Sequence, residues 1–280
     1  MVLLIVVWIV ALISLQETKM LHELEKALIL LRQTKPLILC LTNHVTMDFM
    51  ANALLSLGAA PIMSNDLREL DELVRISHAI NINIGTLDVE FISRANAAVI
   101  LAKKYNKPII LDPVGAGATQ IRTASSRSLM QAADIIRGNA SEIMALIDDV
   151  NETLGVESSH LVSDATGRAK KLAKENASIV VVSGVEDFIT DGTREKYLEF
   201  GSALMPLVTG MGCTLTAVIA AFKAIIPDSY GAACMATAYY GLCGSLAHEK
   251  ATMPGAFRTA FIDELYAADF NSMRNLQNAS

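Results

Sequence analysis

Short apolar runs alternate with longer stretches whose apolar residues recur every three or four positions. From Met20 to about Thr34, Leu21, Leu24, Ala27, Leu28 and Leu31 lie at helical spacing, and Lys35-Pro36 stops the helix. Leu37 to Leu41 reads as a strand, Thr42 to Thr46 as a polar loop at its C-terminal end, and Met47 to Leu57 as a helix ended by Gly58. Ala60 to Met63 is a second strand, and Ser64-Asn65-Asp66 is expected to cap the next helix. Strands at Ala79–Ile84, Pro108–Val114, Asp134–Asn139 and Ser178–Val182 then alternate with helices at Val89–Tyr105, around Thr123–Ala132, at Ala140–Ile147 and at Ala165–Asn176. The stretch Asp148–Ser163 is weakly patterned and reads as a loop with helical turns.

Strand–helix alternation at this spacing predicts an α/β fold with a parallel sheet and right-handed crossovers. The rhythm changes after Gly184. Asp187–Thr190, Glu195–Phe200 and Leu204–Val208 read as short strands, with a hairpin turn at Asp191-Gly192, so the sheet gains an antiparallel edge. Beyond Cys213 the chain is nearly all helix, and Ala232–Leu246, apolar on every side, predicts a buried one. No repeat, linker or domain boundary interrupts the pattern.

Composition narrows the picture. The 280 residues fit one large α/β domain or two small ones, and high apolar with low aromatic content suits a helix-covered sheet. A formal charge of −6 with no basic cluster argues against a nucleic-acid partner. Cys40, Cys213, Cys234 and Cys243 show no metal-site spacing and read as reduced cytoplasmic thiols. Residues Val2 to Leu15 are almost wholly apolar, yet the run falls short of the ~20 residues of a membrane helix. No Lys or Arg precedes it, so it is a poor signal peptide. A membrane anchor and an N-terminal extension ahead of a start at Met20 are the two readings.

Candidate chemistry gathers in two places. In Thr209-Gly210-Met211-Gly212-Cys213-Thr214, two glycines bracket one residue and a helix starts at once. Free N–H groups and the positive end of a helix dipole make a seat for a phosphate, and a thiol at a helix start is expected to have a lowered pKa. A turn with a small buried Cys is the alternative. The second place is the set of strand ends, which share one edge of a parallel sheet: Asn43, Asp112, Arg137, Asn139 and Ser183, with Glu142 one turn beyond. Asp112 and Glu142 can hold Mg²⁺, and Arg137 can clamp a phosphate. Equally, Asp112 before Pro113 can be a turn residue, and Asn139 with Glu142 a capping box. Met63 reads first as core. There is no G-x-x-x-x-G-K-[ST] and no G-x-S-x-G, and Gly115-x-Gly117 lacks the third glycine of a dinucleotide fingerprint.

The assembled motifs resemble hydroxyethylthiazole kinases of the ribokinase-like superfamily. The marks are Leu41-Thr42-Asn43, Gly58-Ala59-Ala60-Pro61-Ile62-Met63, Asn83-Ile84-Gly85-Thr86-Leu87, Leu111 to Thr119, Ile136 to Ile143 and Val208 to Cys213, in order from about Met20 to the C-terminus. The resemblance implies a three-layer α/β/α sandwich over residues 20–280. It also implies transfer of the ATP γ-phosphate to the hydroxyl of 4-methyl-5-(2-hydroxyethyl)thiazole with Mg²⁺. Met63, Asn43 and Gly210 then fall at thiazole-binding positions, and Arg137 and Ser183 at ATP-binding ones. Asp112 and Glu142 take the metal, Gly210, Met211, Gly212 and Cys213 form the anion hole, and Cys213 stands where related sugar kinases carry an Asp base. A cytoplasmic homotrimer with active sites at subunit interfaces is also implied. Competing expectations are a hydroxymethylpyrimidine kinase, an ATP-dependent dehydratase of hydrated nicotinamide nucleotides, and a non-catalytic membrane-attached binder. Cys213 in place of Asp, and the Met63 segment, count against the first two.

Residues 1–19 have no counterpart in the resemblance, which favours an extension over an anchor. A chain started at Met20 should therefore be soluble and fully active. Insolubility of that chain, or full-length activity found only in membranes, would contradict this.

Overall fold

The computed structural model describes residues 19–147 and 162–279. The apolar run Val2–Leu15 and most of the weakly patterned stretch, residues 148–161, lie outside them. Among the described residues eight strands form one sheet: β1 (Leu37–Leu41), β2 (Ala60–Met63), β3 (Ala79–Asn83), β4 (Ile109–Asp112), β5 (Ile135–Asn139), β6 (Ile179–Ser183), β7 (Asp187–Thr190) and β8 (Glu195–Leu198). Their order is β2-β1-β3-β4-β5-β6-β7-β8. The first six run parallel, and β7 and β8 add the antiparallel edge.

Alternation along each central strand sends side chains to two separate cores. Ile38, Cys40, Ile110, Ile135 and Val181 face one side. Leu39, Leu41, Leu111, Ile136 and Val182 face the other. The first core is covered by α1 (residues 19–34), α2 (Met47–Leu57), α8 (Met211–Lys223), α9 (Ser229–Lys250), α10 (Pro254–Ala267) and α11 (Phe270–Ala279). The second is covered by α3 (Leu70–Ile76), α4 (Val89–Tyr105), α5 (Gln120–Met130), α6 (Ala140–Ile147) and α7 (Val162–Asn176). This is the three-layer α/β/α sandwich. Parallel strands need both faces covered, which is why their sequences read as unbroken apolar runs.

Helix α8 matters most for function. It packs across β1, β3 and β4 on one side and against α9 on the other. Burial on so many sides explains the apolar run from Leu215 to Phe222. Tyr240 of α9 is buried, and its hydroxyl donates to the Met211 carbonyl at 2.8 Å, which ties the first turn of α8 to its neighbour.

Three local expectations are corrected. Leu204–Val208 is not a strand: Met205–Leu207 is a short 3₁₀ helix with Pro206 near its start, and a proline has no N–H for a sheet ladder. Ser64-Asn65-Asp66 does not cap a helix. Asp66 instead accepts from the Arg68 N–H at 2.9 Å in a turn, Ser64 hydrogen-bonds Glu69, and α3 starts only at Leu70. Helix α7 begins at Val162 rather than Ala165.

The Tyr240 contact carries a stability prediction. Tyr240→Phe keeps the packing and removes one hydrogen bond to a carbonyl that still has its helical partner, at a cost of about 0.5–1.5 kcal/mol. Urea unfolding should show a lower midpoint at unchanged slope, and an unmoved midpoint would contradict the assignment.

Candidate active site

The parallel order brings the C-terminal ends of β1, β3, β4, β5 and β6 to one edge, and the first turn of α8 lies over them. In register, Asn83 of β3 stands beside Asp112 of β4, and Asn139 of β5 beside Ser183 of β6. The predicted polar residues therefore do meet: hydrogen bonds join Asn43 to Asp112 through Asn83, Arg137 to Ser183, and Asn139 to Glu142.

The phosphate seat has a specific shape. Gly210 is the N-cap of α8, with φ at 95°, a left-handed conformation that favours glycine. A Cβ there would also meet the Thr46 side chain at 3.0 Å. Gly212 makes room for a charge: a Cβ on it would lie 2.6 Å from Nη1 of Arg137, so the guanidinium would have to shift. The guanidinium rests directly on the backbone of the first helical turn. Arg137 Nη2 donates to Ser183 Oγ, and Nη1 lies 3.9 Å from Asp112 Oδ2. Thr214 N–H is bonded to the Gly210 carbonyl at 2.8 Å. The Gly212 and Cys213 N–H groups belong to the first turn, where helix geometry supplies no carbonyl partner.

Asp112 is fully buried. Its Oδ2 accepts from Asn83 Nδ2 at 2.7 Å and from Thr216 Oγ1 at 3.0 Å, while Oδ1 is buried with no partner. Burial pushes its pKa up to about 6 against the opposing charge of Arg137. Glu142 is the N3 residue of the expected capping box. Its Oε2 accepts from Asn139 N–H at 2.8 Å, and Asn139 Oδ1 accepts from Glu142 N–H at 2.9 Å. Its other oxygen accepts from Gly115 N–H at 2.9 Å, so the carboxylate also ties down the loop after β4. Among the described residues no three His, Cys, Asp or Glu side chains cluster as a metal cage.

Cys213, at the N3 position of α8, accepts from Asn43 Nδ2 at 3.4 Å. Its pKa runs opposite to the expectation of a lowered value. Burial, then the nearby Asp112 charge, pushes the thiol up to about 11, against hydrogen bonds from Asn83 and Asn43 and the charge of Arg137. Loss of water outweighs what the helix start and the guanidinium supply.

Asn43 is buried, and its Oδ1 accepts from Thr46 N–H and Oγ1, each at 3.0 Å. Met63 ends the edge strand β2, half-buried against the α2 and α8 side of the core and one strand from β1. It forms an outer wall rather than part of the hydrogen-bonded centre. A cavity of about 340 Å³ opens on the flank of the Gly210 turn, lined by Val45, Phe49, Leu207, Val208 and Thr209 and by the ion-paired Asp48 and Arg258. Two residues of the network, Asn83 and Thr216, are absent from the sequence-derived site. Asn83 had a visible signal, a polar side chain ending an apolar strand; Thr216 sits in an apolar helix and had none.

Known proteins resemble this chain in sequence and fold. The sequence model of the Hydroxyethylthiazole kinase family matches residues 28–270. A hydroxyethylthiazole kinase of Chlamydia felis is 50% identical, over 92% of this chain and all of that protein. One from Leptospira biflexa is 41% identical over 89% of this chain and 94% of its own. The solved structure of a hydroxyethylthiazole kinase protein from Pyrococcus horikoshii superposes with a TM-score of 0.81 at 36% identity, over 88% of this chain and 93% of that one. An ADP complex of Bacillus subtilis pyridoxal kinase, at 16% identity and a TM-score of 0.58, shares the fold.

The Arg137–Gly212 contact makes a testable pair. Arg137→Ala should weaken ATP binding roughly tenfold or more, as loss of a charge-assisted contact does, and lower turnover. Gly212→Ala should reproduce much of that by pushing the guanidinium aside. ATP titrations of both variants that overlay the parent would contradict the assignment.

Proposed function

The chain belongs to the hydroxyethylthiazole kinase family, and from that premise we propose how its strand-end site transfers a phosphoryl group. The protein phosphorylates the hydroxyl of 4-methyl-5-(2-hydroxyethyl)thiazole in thiamine salvage, with ATP as co-substrate. Phosphoryl transfer needs little covalent help from a protein and much positioning and charge neutralisation. The observation that carries the reading is the Arg137 guanidinium lying on Gly212 at the start of α8. A fixed positive group and unpaired N–H groups meet there at one point.

In this reading the ATP polyphosphate lies against Arg137 and Ser183. The γ-phosphoryl group lies on the Gly210–Cys213 backbone, held by the Gly212 and Cys213 N–H groups, while the Met211 N–H is turned to the Val208 carbonyl at 3.4 Å; the two free donors are aimed before charge develops. The thiazole alcohol approaches from the side of Asn43, Met63 and Gly210, with its hydroxyl toward Cys213. The residues fit a magnesium ion in kind: Asp112 has a buried oxygen without a partner, and each Glu142 oxygen accepts one N–H and keeps a lone pair for a bridging water. Mg²⁺ bound with the nucleotide supplies further neutralisation of the phosphate oxygens. Arg137 contributes to the same end from the protein.

Cys213 takes the hydroxyl proton late, once transfer has made that oxygen acidic. With its pKa near 11 the group is stored as a thiol at neutral pH. Turnover carried by the thiolate therefore rises with pH below that value. A second copy of the chain, in a homotrimer, completes the pocket beyond β2 beside Met63; the half-exposed end of that edge strand supports this. Four unpaired cysteines fit a cytoplasmic setting.

Release of ADP dependent on the thiazole alcohol, followed by a coupled assay, tests the reading. Release with hydroxymethylpyrimidine and none with the thiazole alcohol would contradict it. The role of Cys213 separates in two variants. As base, Cys213→Ser should lose on the order of 10²-fold or more in turnover at near-parent KM for the alcohol, while Cys213→Asp keeps substantial activity. The parent rate should climb between pH 7 and 9 and the Asp variant should stay flat. A Ser variant faster than the Asp variant, with a flat parent profile, would refute the base.

A further inference from the structure

We propose that Asn83 is a positioning residue which, both directly and through Asn43, sets the Cys213 thiol and the Asp112 carboxylate against each other; this rests on the kinase reading above. Asn83 is the last residue of β3, the strand between β1 and β4, and it is fully buried. Its Oδ1 accepts from Asn43 Nδ2 at 2.9 Å, and its Nδ2 donates to Asp112 Oδ2 at 2.7 Å.

The direction of this chain is fixed from the backbone. An amide can be turned end for end, so its orientation has to come from partners with only one role. Gly85 N–H can only donate, and it lies 3.0 Å from Asn83 Oδ1. Thr46 N–H can only donate, and it lies 3.0 Å from Asn43 Oδ1. Both oxygens are therefore identified, and both NH₂ groups must point the other way. Asn43 then presents one N–H to Asn83 and the other to Cys213 Sγ. The sulfur accepts from Asn43, so any S–H proton is directed away from it.

The same accounting assigns Asn43. Its oxygen takes two donors from Thr46, and its two N–H groups are spent on Asn83 and Cys213. An amide has four such positions and all are in use. Asn43 thus acts on Cys213 and has no hydrogen-bonding position left for a substrate, whose pocket it lines by contact alone. At the other end Asn83 and Thr216 both hold Asp112 Oδ2, which determines that Oδ1 is the oxygen without a partner. One buried amide, with no surface of its own, orients a group on each side of the reaction.

A pair of asparagines that merely satisfied each other would affect folding and leave turnover of the folded enzyme alone. We therefore compare Asn43→Ala, Asn83→Ala and the double variant in steady-state kinetics below their melting temperatures. Asn83→Ala should lower kcat by about 10–100-fold with both KM values within about threefold of the parent, the signature of an interaction lost in the transition state. The double variant should be no slower than the slower single one, because residues acting as a unit do not add. A kcat within twofold of the parent, or two losses that multiply, would overturn the proposal. Should Asn83→Ala fail to fold, Asn83→Asp keeps the acceptor for Gly85 and Asn43 and loses the donor to Asp112. Its kcat should fall in the same way, and parent kcat would be contradictory. A crystal structure of the same variant gives a readout independent of activity. The Asp112 carboxylate should leave its present rotamer while the β3 backbone stays, and an unchanged carboxylate would overturn the proposal. A parent enzyme inactive on the thiazole alcohol would overturn the substrate reading instead and leave the structural comparison to decide this one.

Discussion

The guanidinium of Arg137 lies where a methyl group on residue 212 would have to be. The geometry of the site depends on that contact. Glycine in the first turn of α8 leaves the guanidinium room to lie there, which brings a cation to a helix start that is already electropositive and holds it between Ser183 and Asp112. Gly210 serves a separate need, a left-handed turn packed on Thr46. The two glycines that bracket Met211 are therefore not a generic flexible loop. One turns the chain and the other makes room for a charge.

The electrostatics follow from burial. Burial strengthens the interactions between charges and also makes isolated negative groups costly. Asp112 is pushed up to about 6 and Cys213 up to about 11 for this reason, even with Arg137 nearby. A site of this kind is strong at holding an anion and weak at pulling a proton from an alcohol. That division matches what phosphoryl transfer asks of a protein, where most of the barrier is lowered by positioning and charge.

Much of this was legible in the sequence. The helices Met47–Leu57 and Val89–Tyr105 were readable to their C-terminal ends and Ala140–Ile147 at its start, because a glycine, an asparagine turn and a capping box mark these boundaries. The gathering of Asn43, Asp112, Arg137 and Ser183 follows from strand ends alone once the sheet is parallel. The Asn43–Asn83–Asp112 chain was not readable. It depends on β3 lying between β1 and β4, and strand order is a property of packing rather than of local pattern. The direction of the Cys213 shift was missed for a similar reason. A helix start is local and visible, whereas the depth of burial and the Asp112 charge come from elements about a hundred residues away. Leu204–Val208 misled because it is a short unbroken apolar run, yet Pro206 forbids the ladder.

The central claim is that the phosphoryl group in transit sits on the first turn of α8 under Arg137. A crystal structure with a non-hydrolysable ATP analogue, Mg²⁺ and the thiazole alcohol tests it most directly. The account predicts γ-phosphate oxygens within about 3 Å of the Gly212 and Cys213 N–H groups, the hydrogen-bond range for such donors, with the alcohol oxygen facing Cys213 Sγ. A γ-phosphate bound elsewhere, with those N–H groups facing solvent, would contradict it.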